Sequence, residues 1–255
     1  MRKTVTAAVL LALAVYLGLC VALYAFQRSL VYFPQPRAVG GTENLMALPT
    51  ADASVLVTVR PHAGSKALIY FGGNAEDVSQ NLPSFAEAFP EHAIYLLHYR
   101  GYGGSGGKPS EEAIQRDALT LFDLVHASHP QIAVVGRSLG SGVAIRLASQ
   151  RPAARLVLIT PYNSIEELGQ KQFPIFPIRW LLQDKYRSWR YAQHIAVPTL
   201  VLIAEHDEVI PRWSSMKLYR QFKPGVAKLE VIAGRGHNDI SASADYLTLL
   251  GQALP

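Results

Sequence analysis

Apolar residues follow two different patterns along this chain. Short, strongly apolar runs rich in β-branched residues are typical of buried strands, and they occur at residues 54–60, 66–71, 93–98, 132–135, 156–160, 199–204 and 228–232. Segments with apolar residues at helical spacing lie between them, at residues 76–89, 110–127, 141–148, 214–222 and 243–250. This alternation predicts βαβ units and a mainly parallel central sheet with helices on both faces.

Two intervals interrupt the alternation. Residues 34–53 are rich in Pro and Gly, and we interpret them as a tether that leads into the fold. The other interval, residues 162–197, contains an apolar stretch whose prolines exclude one continuous helix. It is either ordinary packed loop or a small cap with an aromatic face that meets an acyl chain or the bilayer. We take about 162–197 as a small cap insertion.

The first hydrophobic segment is long enough to cross a membrane. Arg2 and Lys3 precede an uncharged run from Thr4 to Phe26, and about 20 apolar residues span a bilayer as a helix. A cleaved signal peptide is the alternative, but its apolar core is shorter and ends at a small-x-small site. We therefore predict an uncleaved, single-pass signal anchor at residues 1–29 and a folded domain at residues 30–255.

The residues on either side of this segment indicate its orientation in the membrane. Positive charge lies on both sides, but the very short basic N-terminus indicates that it stays in the cytoplasm. The domain would then lie on the extracytoplasmic side, at the inner membrane if the protein is bacterial. Aromatic residues near Arg28 predict an interfacial belt, and they are Tyr24, Phe26, Tyr32 and Phe33.

Composition limits the remaining classes of function. A chain of 255 residues is most simply one α/β domain with an appendage, and the first segment explains much of the 49% hydrophobic fraction. Cys20 is the single cysteine, so an intrachain disulfide is excluded. The net charge of +5 comes from scattered residues without interleaved aromatics, so we expect no nucleic-acid partner.

The pentapeptide Gly136-Arg137-Ser138-Leu139-Gly140 has the form G-x-S-x-G. A predicted strand precedes it and a helical pattern follows it, which is the context of a nucleophile elbow. The turn must expose the hydroxyl of Ser138 in a strained conformation, and Gly136 and Gly140 avoid collisions there. We predict that Ser138 is a catalytic nucleophile.

A serine nucleophile needs a base, and the base needs an acid that orients it. His237 follows the last predicted strand, and Asp207 follows the strand before it, so the chain order is Ser, Asp, His. We predict that these residues are the base and the acid, with Glu205 and Glu208 as rivals for the acid. The neighbouring acids and histidines lack any recognised ligand spacing, and we expect no metal.

The oxyanion of the intermediate needs two backbone N–H donors. Leu139, directly after the serine, is one candidate. The other is Asn74, in a loop where Gly72 and Gly73 allow close approach to the substrate; the alternative is a simple strand-to-helix turn. The glycine-rich residues 101–107 formally fit a dinucleotide fingerprint, but Pro109 and the extra glycines blur it. We expect that loop to form a wall of the site.

Several motifs together resemble the α/β-hydrolase superfamily, most closely its membrane-anchored, small-cap branch with the depalmitoylating α/β-hydrolase domain proteins and their bacterial homologues. The motifs are Phe71-Gly72-Gly73-Asn74-Ala75, Arg100-Gly101-Tyr102-Gly103-Gly104-Ser105-Gly106-Gly107, Gly136-Arg137-Ser138-Leu139-Gly140-Ser141-Gly142, Thr160-Pro161-Tyr162-Asn163-Ser164, Asp207-Glu208-Val209-Ile210-Pro211 and Gly236-His237-Asn238-Asp239. The resemblance covers about residues 30–255. It implies the roles given above for Ser138, Asp207, His237, Asn74 and Leu139. Gly72 is a departure, since relatives often carry His at this place.

We therefore expect a cofactor-free serine hydrolase that cleaves carboxylic esters or thioesters through an acyl-enzyme. Its substrate is a small molecule or an acylated, lipid-like compound, and its N-terminal helix holds it at a membrane. A peptidase or amidase with the same three residues is one alternative. A non-enzymatic binding protein on a hydrolase scaffold is the other, although an intact triad argues against it.

Overall fold

The computed structural model describes residues 1–38 and 44–254. The strands are β1 (Leu45–Leu48), β2 (Val55–Arg60), β3 (Lys66–Phe71), β4 (Ala93–Leu97), β5 (Gln131–Arg137), β6 (Arg155–Ile159), β7 (Thr199–Ala204) and β8 (Ala227–Ile232). The helices are α1 (Arg2–Val31), α2 (Leu82–Ala88), α3 (Glu111–His126), α4 (Leu139–Ala148), α5 (Ile165–Gln172), α6 (Ile178–Leu181), α7 (Trp189–Ala192), α8 (Arg212–Tyr219) and α9 (Ala244–Ala253).

The strands form a sheet in the order β1-β2-β4-β3-β5-β6-β7-β8. The pairs β1–β2 and β2–β4 are antiparallel, and the remaining neighbours are parallel. Parallel strands buried on both faces read as continuous apolar runs, which is how the sequence pattern located β3, β5, β6 and β7. The antiparallel β2, the mixed β4 and the partly exposed edge strand β8 were also located from their apolar residues. β1 lies within residues 34–53, so the prediction of a tether is wrong at Leu45–Leu48.

Alternate strand residues point to opposite faces, so the apolar runs supply two layers of core. On one face Ile69 and Val134 pack with α3, α4 and α8, whereas on the other Leu68 and Val135 pack with α2 and α9. The predicted helix at 76–89 is in part wrong. Asp77 accepts a hydrogen bond from Ser79 N and begins a 3₁₀ turn at Val78–Asn81, and α2 starts only after it.

The strand register brings the ends of distant segments together. Phe71 is paired with Gly136, so the loop after β3 lies beside the turn after β5. Ala204 is paired with Ile232, so the loops after β7 and β8 are also neighbours. Because these strands are parallel, all four loops lie at the same carboxyl edge, where ligands bind in sheets of this kind.

Residues 162–197, called the cap segment below, fold as the short helices α5, α6 and α7 with irregular connections. Ser164 starts α5 by accepting a hydrogen bond from Glu167 N at 3.0 Å. Glu111, in the first turn of α3, accepts hydrogen bonds from the backbone N–H groups of Lys185 and Tyr186. Burial raises the pKa of Glu111. These contacts hold the cap segment to the sheet domain.

α1 is, among the described residues, the one helix that is long and apolar enough to cross a membrane, judged by length and composition. It extends to Val31, and Tyr32 continues directly into the folded domain. The predicted aromatic belt is wrong for Tyr32, which is buried because its hydroxyl contacts Asp184 and Tyr186. The division of the chain at residue 29 stays a prediction.

Candidate active site

Ser138 occupies the turn between β5 and α4. Its backbone has φ of 49° and ψ of −117°, a strained conformation for a residue with a side chain. Ser138 N donates a hydrogen bond to Ile159 O at 2.9 Å, which holds the turn against β6. A Cβ on Gly140 would overlap the carbonyl oxygen of Phe71, and one on Gly136 would overlap Gly140 O. The predicted need for glycine at both places thus has a steric cause.

The side chains of Ser138, His237 and Asp207 form one hydrogen-bonded line. His237 Nε2 lies 3.0 Å from Ser138 Oγ, and His237 Nδ1 lies 2.9 Å from Asp207 Oδ2. The carboxylate fixes the ring so that Nε2 can take a proton from the hydroxyl. The sequence predicted these three residues, and the structure brings them into contact across 99 and 30 residues of chain.

Asp207 and its two rivals make different contacts. Asp207 Oδ1 accepts hydrogen bonds from the backbone N–H groups of Val209 and Ile210, which orient the carboxylate toward the ring of His237. Glu208 Oε2 accepts from His237 N at 3.1 Å, and Glu205 Oε2 accepts from Gly234 N at 2.8 Å. Both glutamates thus fix the histidine loop through its backbone, and the imidazole contacts Asp207 alone among the three acids.

The candidate oxyanion donors lie at the same place. Asn74 and Leu139 line the cavity that contains Ser138. Among the described residues, none accepts a hydrogen bond from the backbone N–H of either. Gly73 N, by contrast, donates to Glu76 Oε2 at 2.7 Å. In the loop after β3, the Asn74 N–H is thus free to donate to a substrate and the Gly73 N–H is not.

Glu76 organises the site, although the sequence did not single it out. Its Oε1 accepts hydrogen bonds from Tyr70 Oη at 2.7 Å and Asn81 Nδ2 at 2.8 Å. Its Oε2 accepts from Gly73 N and, at 3.0 Å, from a terminal nitrogen of the Arg137 guanidinium. This carboxylate therefore has donors on both oxygens and fixes the loop that carries Asn74.

Arg137, the variable residue before the serine, extends this network to the histidine loop. Its other terminal nitrogen donates to the backbone oxygen of His237 at 3.1 Å. Burial acts to lower the pKa of the Arg137 guanidinium, but the adjacent Glu76 carboxylate together with Tyr70 and Tyr246 raises it, and the net shift of the pKa is upward. The Glu76–Arg137 pair thus connects the candidate oxyanion loop, the elbow and the histidine loop.

Two spaces of different chemistry adjoin Ser138. One is a mostly apolar cavity of about 570 Å³ between α1, the cap segment and the loop Val209–Pro211. The other is a more polar cleft of about 630 Å³ that also includes Ser138 in its lining, with Glu76, Asp77, Arg137 and Asn238 among others. Volumes of this size suit small-molecule ligands.

The glycine-rich loop at 101–107 has a different place from the one predicted. It lines neither the apolar cavity nor the polar cleft. Instead, Tyr102 Oη donates to Asn74 O at 2.7 Å, and Arg100 pairs with Asp117 and Asp52. The loop therefore supports the candidate oxyanion loop from behind. Over the described residues, no group of three or more His, Cys, Asp or Glu is placed to hold a metal ion.

A largely parallel sheet with a serine elbow after its fifth strand, an acid after its seventh and a histidine after its eighth defines the α/β-hydrolase class of protein. Comparisons with known proteins give the same class. The pattern of a family described as serine aminopeptidase, S33, matches residues 66–191. The esterase Pf2001 of Pyrococcus furiosus superimposes with a TM-score of 0.66 at 18% identity, over 87% of this chain and 96% of the esterase.

Relatives by sequence extend over most of the chain. An uncharacterized protein of Mycobacterium tuberculosis, Rv2307c, is 31% identical over 243 residues, which cover 87% of this chain and 84% of the relative. The lysophosphatidylserine lipase ABHD12 of Macaca fascicularis is 32% identical over 228 residues, covering 75% of this chain but 56% of the lipase. This chain belongs to the α/β-hydrolase superfamily, so the predicted resemblance and fold class are confirmed.

Proposed function

We propose that this protein is a serine hydrolase that cleaves carboxylic ester or thioester bonds. The observation that carries the proposal is the line of hydrogen bonds from Ser138 Oγ through His237 to Asp207. His237 Nε2 removes the hydroxyl proton as Oγ attacks the carbonyl carbon, and it then protonates the leaving group. Water, activated by the same nitrogen, hydrolyses the acyl-enzyme and regenerates the serine.

The negative charge that develops on the carbonyl oxygen needs donors that are already in place. We assign this role to the backbone N–H groups of Leu139 and Asn74. Their lack of an acceptor among the described residues, and their position beside Ser138, support the assignment. Leu139 is also the first residue of α4, where the helix dipole favours negative charge.

The two spaces beside Ser138 favour an amphiphilic substrate. The apolar cavity suits an acyl chain, and the polar cleft suits a hydrophilic leaving group. The name of the relative ABHD12, a lysophosphatidylserine lipase, supports a lipid-like substrate of this form.

A peptidase is the second candidate, because the matching family is described as a serine aminopeptidase. An enzyme that binds a peptide amino-terminus needs a carboxylate to pair with the ammonium. Among the described residues that line the apolar cavity, Lys171 is the one with a charged side chain. This cavity therefore favours an acyl chain over an amino-terminus.

We also propose that α1 anchors the protein in a membrane as a single span, with the hydrolase domain on the extracytoplasmic side. The exposed apolar surface of α1 supports this placement. The full chain is then expected in the membrane fraction after a carbonate wash, with its N-terminal residues intact by mass spectrometry. Release of a chain that lacks the first segment would instead favour the cleaved signal peptide.

The experiment that tests the enzymatic proposal is hydrolysis of p-nitrophenyl esters by the full chain in detergent. We expect Ser138→Ala and Asp207→Asn to lower kcat by about 10⁴-fold or more, because the first removes the nucleophile and the second removes the carboxylate that holds the ring of His237 in the required tautomer. Ser128→Ala, at an exposed serine, is the matched control and is expected to be unchanged. Full activity of Ser138→Ala would refute the assignment.

A further inference from the structure

The last turns of α1 form one wall of the apolar cavity that ends at Ser138. Leu23, Gln27, Leu30 and Val31 line it from the helix, and Leu168 and Leu181 line it from the cap segment. A helix that serves only as an anchor needs no contact with the catalytic site. Here the same helix that is apolar enough to cross a membrane also bounds the space next to the candidate nucleophile.

The end of α1 is bonded directly to the candidate oxyanion loop. Asn74 Nδ2 donates to Val31 O at 3.1 Å, and Phe33 N donates to Asn74 O at 3.0 Å. Tyr102 Oη donates to Asn74 O and accepts from Phe33 N at 2.9 Å, which closes a compact group of bonds. The position of the helix end is therefore fixed relative to the site.

Polar contacts also fix α1 to the cap segment. Gln27, buried between them, donates to Leu181 O at 3.0 Å and accepts from Gln183 N at 2.6 Å. Arg28 Nε pairs with Asp184 at 2.9 Å. A buried amide whose nitrogen and oxygen both form hydrogen bonds requires one relative placement of its neighbours. The helix and the cap segment are therefore held on either side of the apolar cavity, and the part of that cavity between them is called the groove below.

The proposed membrane span of α1 ends close to the residues that line the groove. A hydrocarbon core of about 30 Å takes about 20 helical residues, so a span that begins at Val5 ends near Tyr24. The cap segment also contacts α1 nearer to its N-terminus, within the proposed span. There Tyr16 stacks on Phe176 at 5.7 Å, and the Tyr16 hydroxyl donates to Ile175 O. Ile175 and Trp180 are 72% and 81% exposed, as apolar side chains that face lipid would be.

We propose that the acyl chain of the substrate lies between α1 and the cap segment, so that the membrane helix is itself a wall of the acyl-binding site. This inference rests on the proposed function. The carbonyl carbon is held at Ser138 Oγ, and the chain runs along Leu139 and Leu168 toward Leu23. The chain enters from the bilayer through the groove, and the leaving group stays in the polar cleft. Leu23 thus determines which acyl lengths are accepted.

The test compares esters of different length with the full chain in detergent micelles. For the unchanged protein, kcat/KM is expected to rise by about fourfold per methylene until the cavity is filled. Leu23→Trp blocks the groove and is expected to lower the ratio of kcat/KM for p-nitrophenyl dodecanoate over butyrate by about tenfold or more. Val21→Trp, on the exposed side of α1, is the control and should leave that ratio unchanged.

A second variant keeps the test decisive if the tryptophan disturbs folding. Leu23→Ala enlarges the groove and is expected to raise the ratio for hexadecanoate over butyrate by about threefold or more. The inference about the acyl-binding site would be overturned if these ratios were unchanged in both Leu23 variants while the protein still reacted with a fluorophosphonate probe. The proposed serine hydrolase function would survive that result. If the unchanged protein neither reacts with the probe nor hydrolyses any ester, the proposed function itself fails.

Discussion

At the residue scale, the position of the candidate oxyanion donor depends on one carboxylate. Glu76 accepts four hydrogen bonds, and through Arg137 it is connected to the backbone of the histidine loop. Removal of one member of such a buried pair leaves an uncompensated group, which is strongly unfavourable. Glu76 touches no reacting atom in this account, so it is a positioning residue.

Glu76→Gln is therefore expected to lower kcat by about 10–100-fold with a smaller change in KM, because a shift of the donor by even about 1 Å weakens transition-state binding. Steady-state kinetics on a short-chain ester give this split, with circular dichroism to verify folding at the assay temperature. The matched control is Glu87→Gln, at an exposed glutamate on α2. An unchanged kcat would show that the network does not position the donor.

His98 predicts a pH dependence of folding stability. It lies directly after β4, buried, with Nε2 at 2.8 Å from Thr58 Oγ1. Burial lowers its pKa from 6.5 to about 4, so between these values the unfolded chain binds more protons than the folded one. The stabilisation is present above pH 6.5 and is lost as the pH falls to about 4, by up to about 3 kcal/mol.

Denaturant unfolding of the full chain at pH 7.5, 5.5 and about 4.5 measures this slope. In His98→Asn the side chain does not titrate, and we expect a flatter dependence over the same interval. Equal slopes in the two proteins would contradict the assignment of the effect to His98.

The sequence identified the residues whose roles depend on local pattern. The elbow glycines and serine stand in a fixed spacing, and His237 follows the last recognisable strand, so spacing and chain order selected them as candidates. Asp207 was preferred to Glu205 and Glu208 by its distance from the end of the preceding strand. Glu76 and Arg137 could not be selected in this way, because their pairing across 61 residues depends on the register of β3 and β5. The signal in the sequence that could have indicated Glu76 was its place three residues after Gly73, at the start of a helical pattern.

At the scale of elements, α1 is integrated with the domain rather than attached to it. Its end contacts both the candidate oxyanion loop and the cap segment, and Tyr32 is buried among them. The sequence predicted the helix from its length and apolar character. The docking was not predicted, because the bonds of Gln27 and Tyr32 to the cap segment form only when residues more than 150 positions away are placed beside them.

Asp184→Ala removes the acceptor shared by Arg28 and Tyr32. We expect a loss of about 1–2 kcal/mol, which is modest because Arg28 is half exposed. In a chain of this size the loss corresponds to a decrease in Tm of about 2–8 °C in a detergent thermal scan. Asp123→Ala removes an exposed pair with Arg151 and should leave Tm nearly unchanged; equal shifts in the two variants would contradict the docking.

The length and the burial of each strand explain whether the sequence pattern could locate it. Those buried on both faces have continuous apolar runs and were predicted within two residues of their ends. β1 has four residues and pairs only with β2, at the edge of the sheet, so its pattern is too short to stand out among prolines and glycines. The helix at 76–89 began late, because Asp77 and Pro83 favour a separate 3₁₀ turn before α2.

At the scale of the whole molecule, a long apolar N-terminal helix, a cap segment and a sheet domain meet at one serine. The sheet brings loops from four strands to one edge, and α1 and the cap segment add an apolar groove there. The superfamily and the fold are established by sequence and structure together. The chemistry depends on whether Ser138 is activated by His237.

Covalent labelling of the full chain with a fluorophosphonate probe tests this claim most directly, because only an activated serine reacts rapidly with such a reagent. We expect stoichiometric modification, located by mass spectrometry on the peptide that contains Ser138. We also expect its loss in Ser138→Ala and a large decrease in rate in His237→Ala. A folded protein that does not react, or that reacts equally well without His237, would contradict the account.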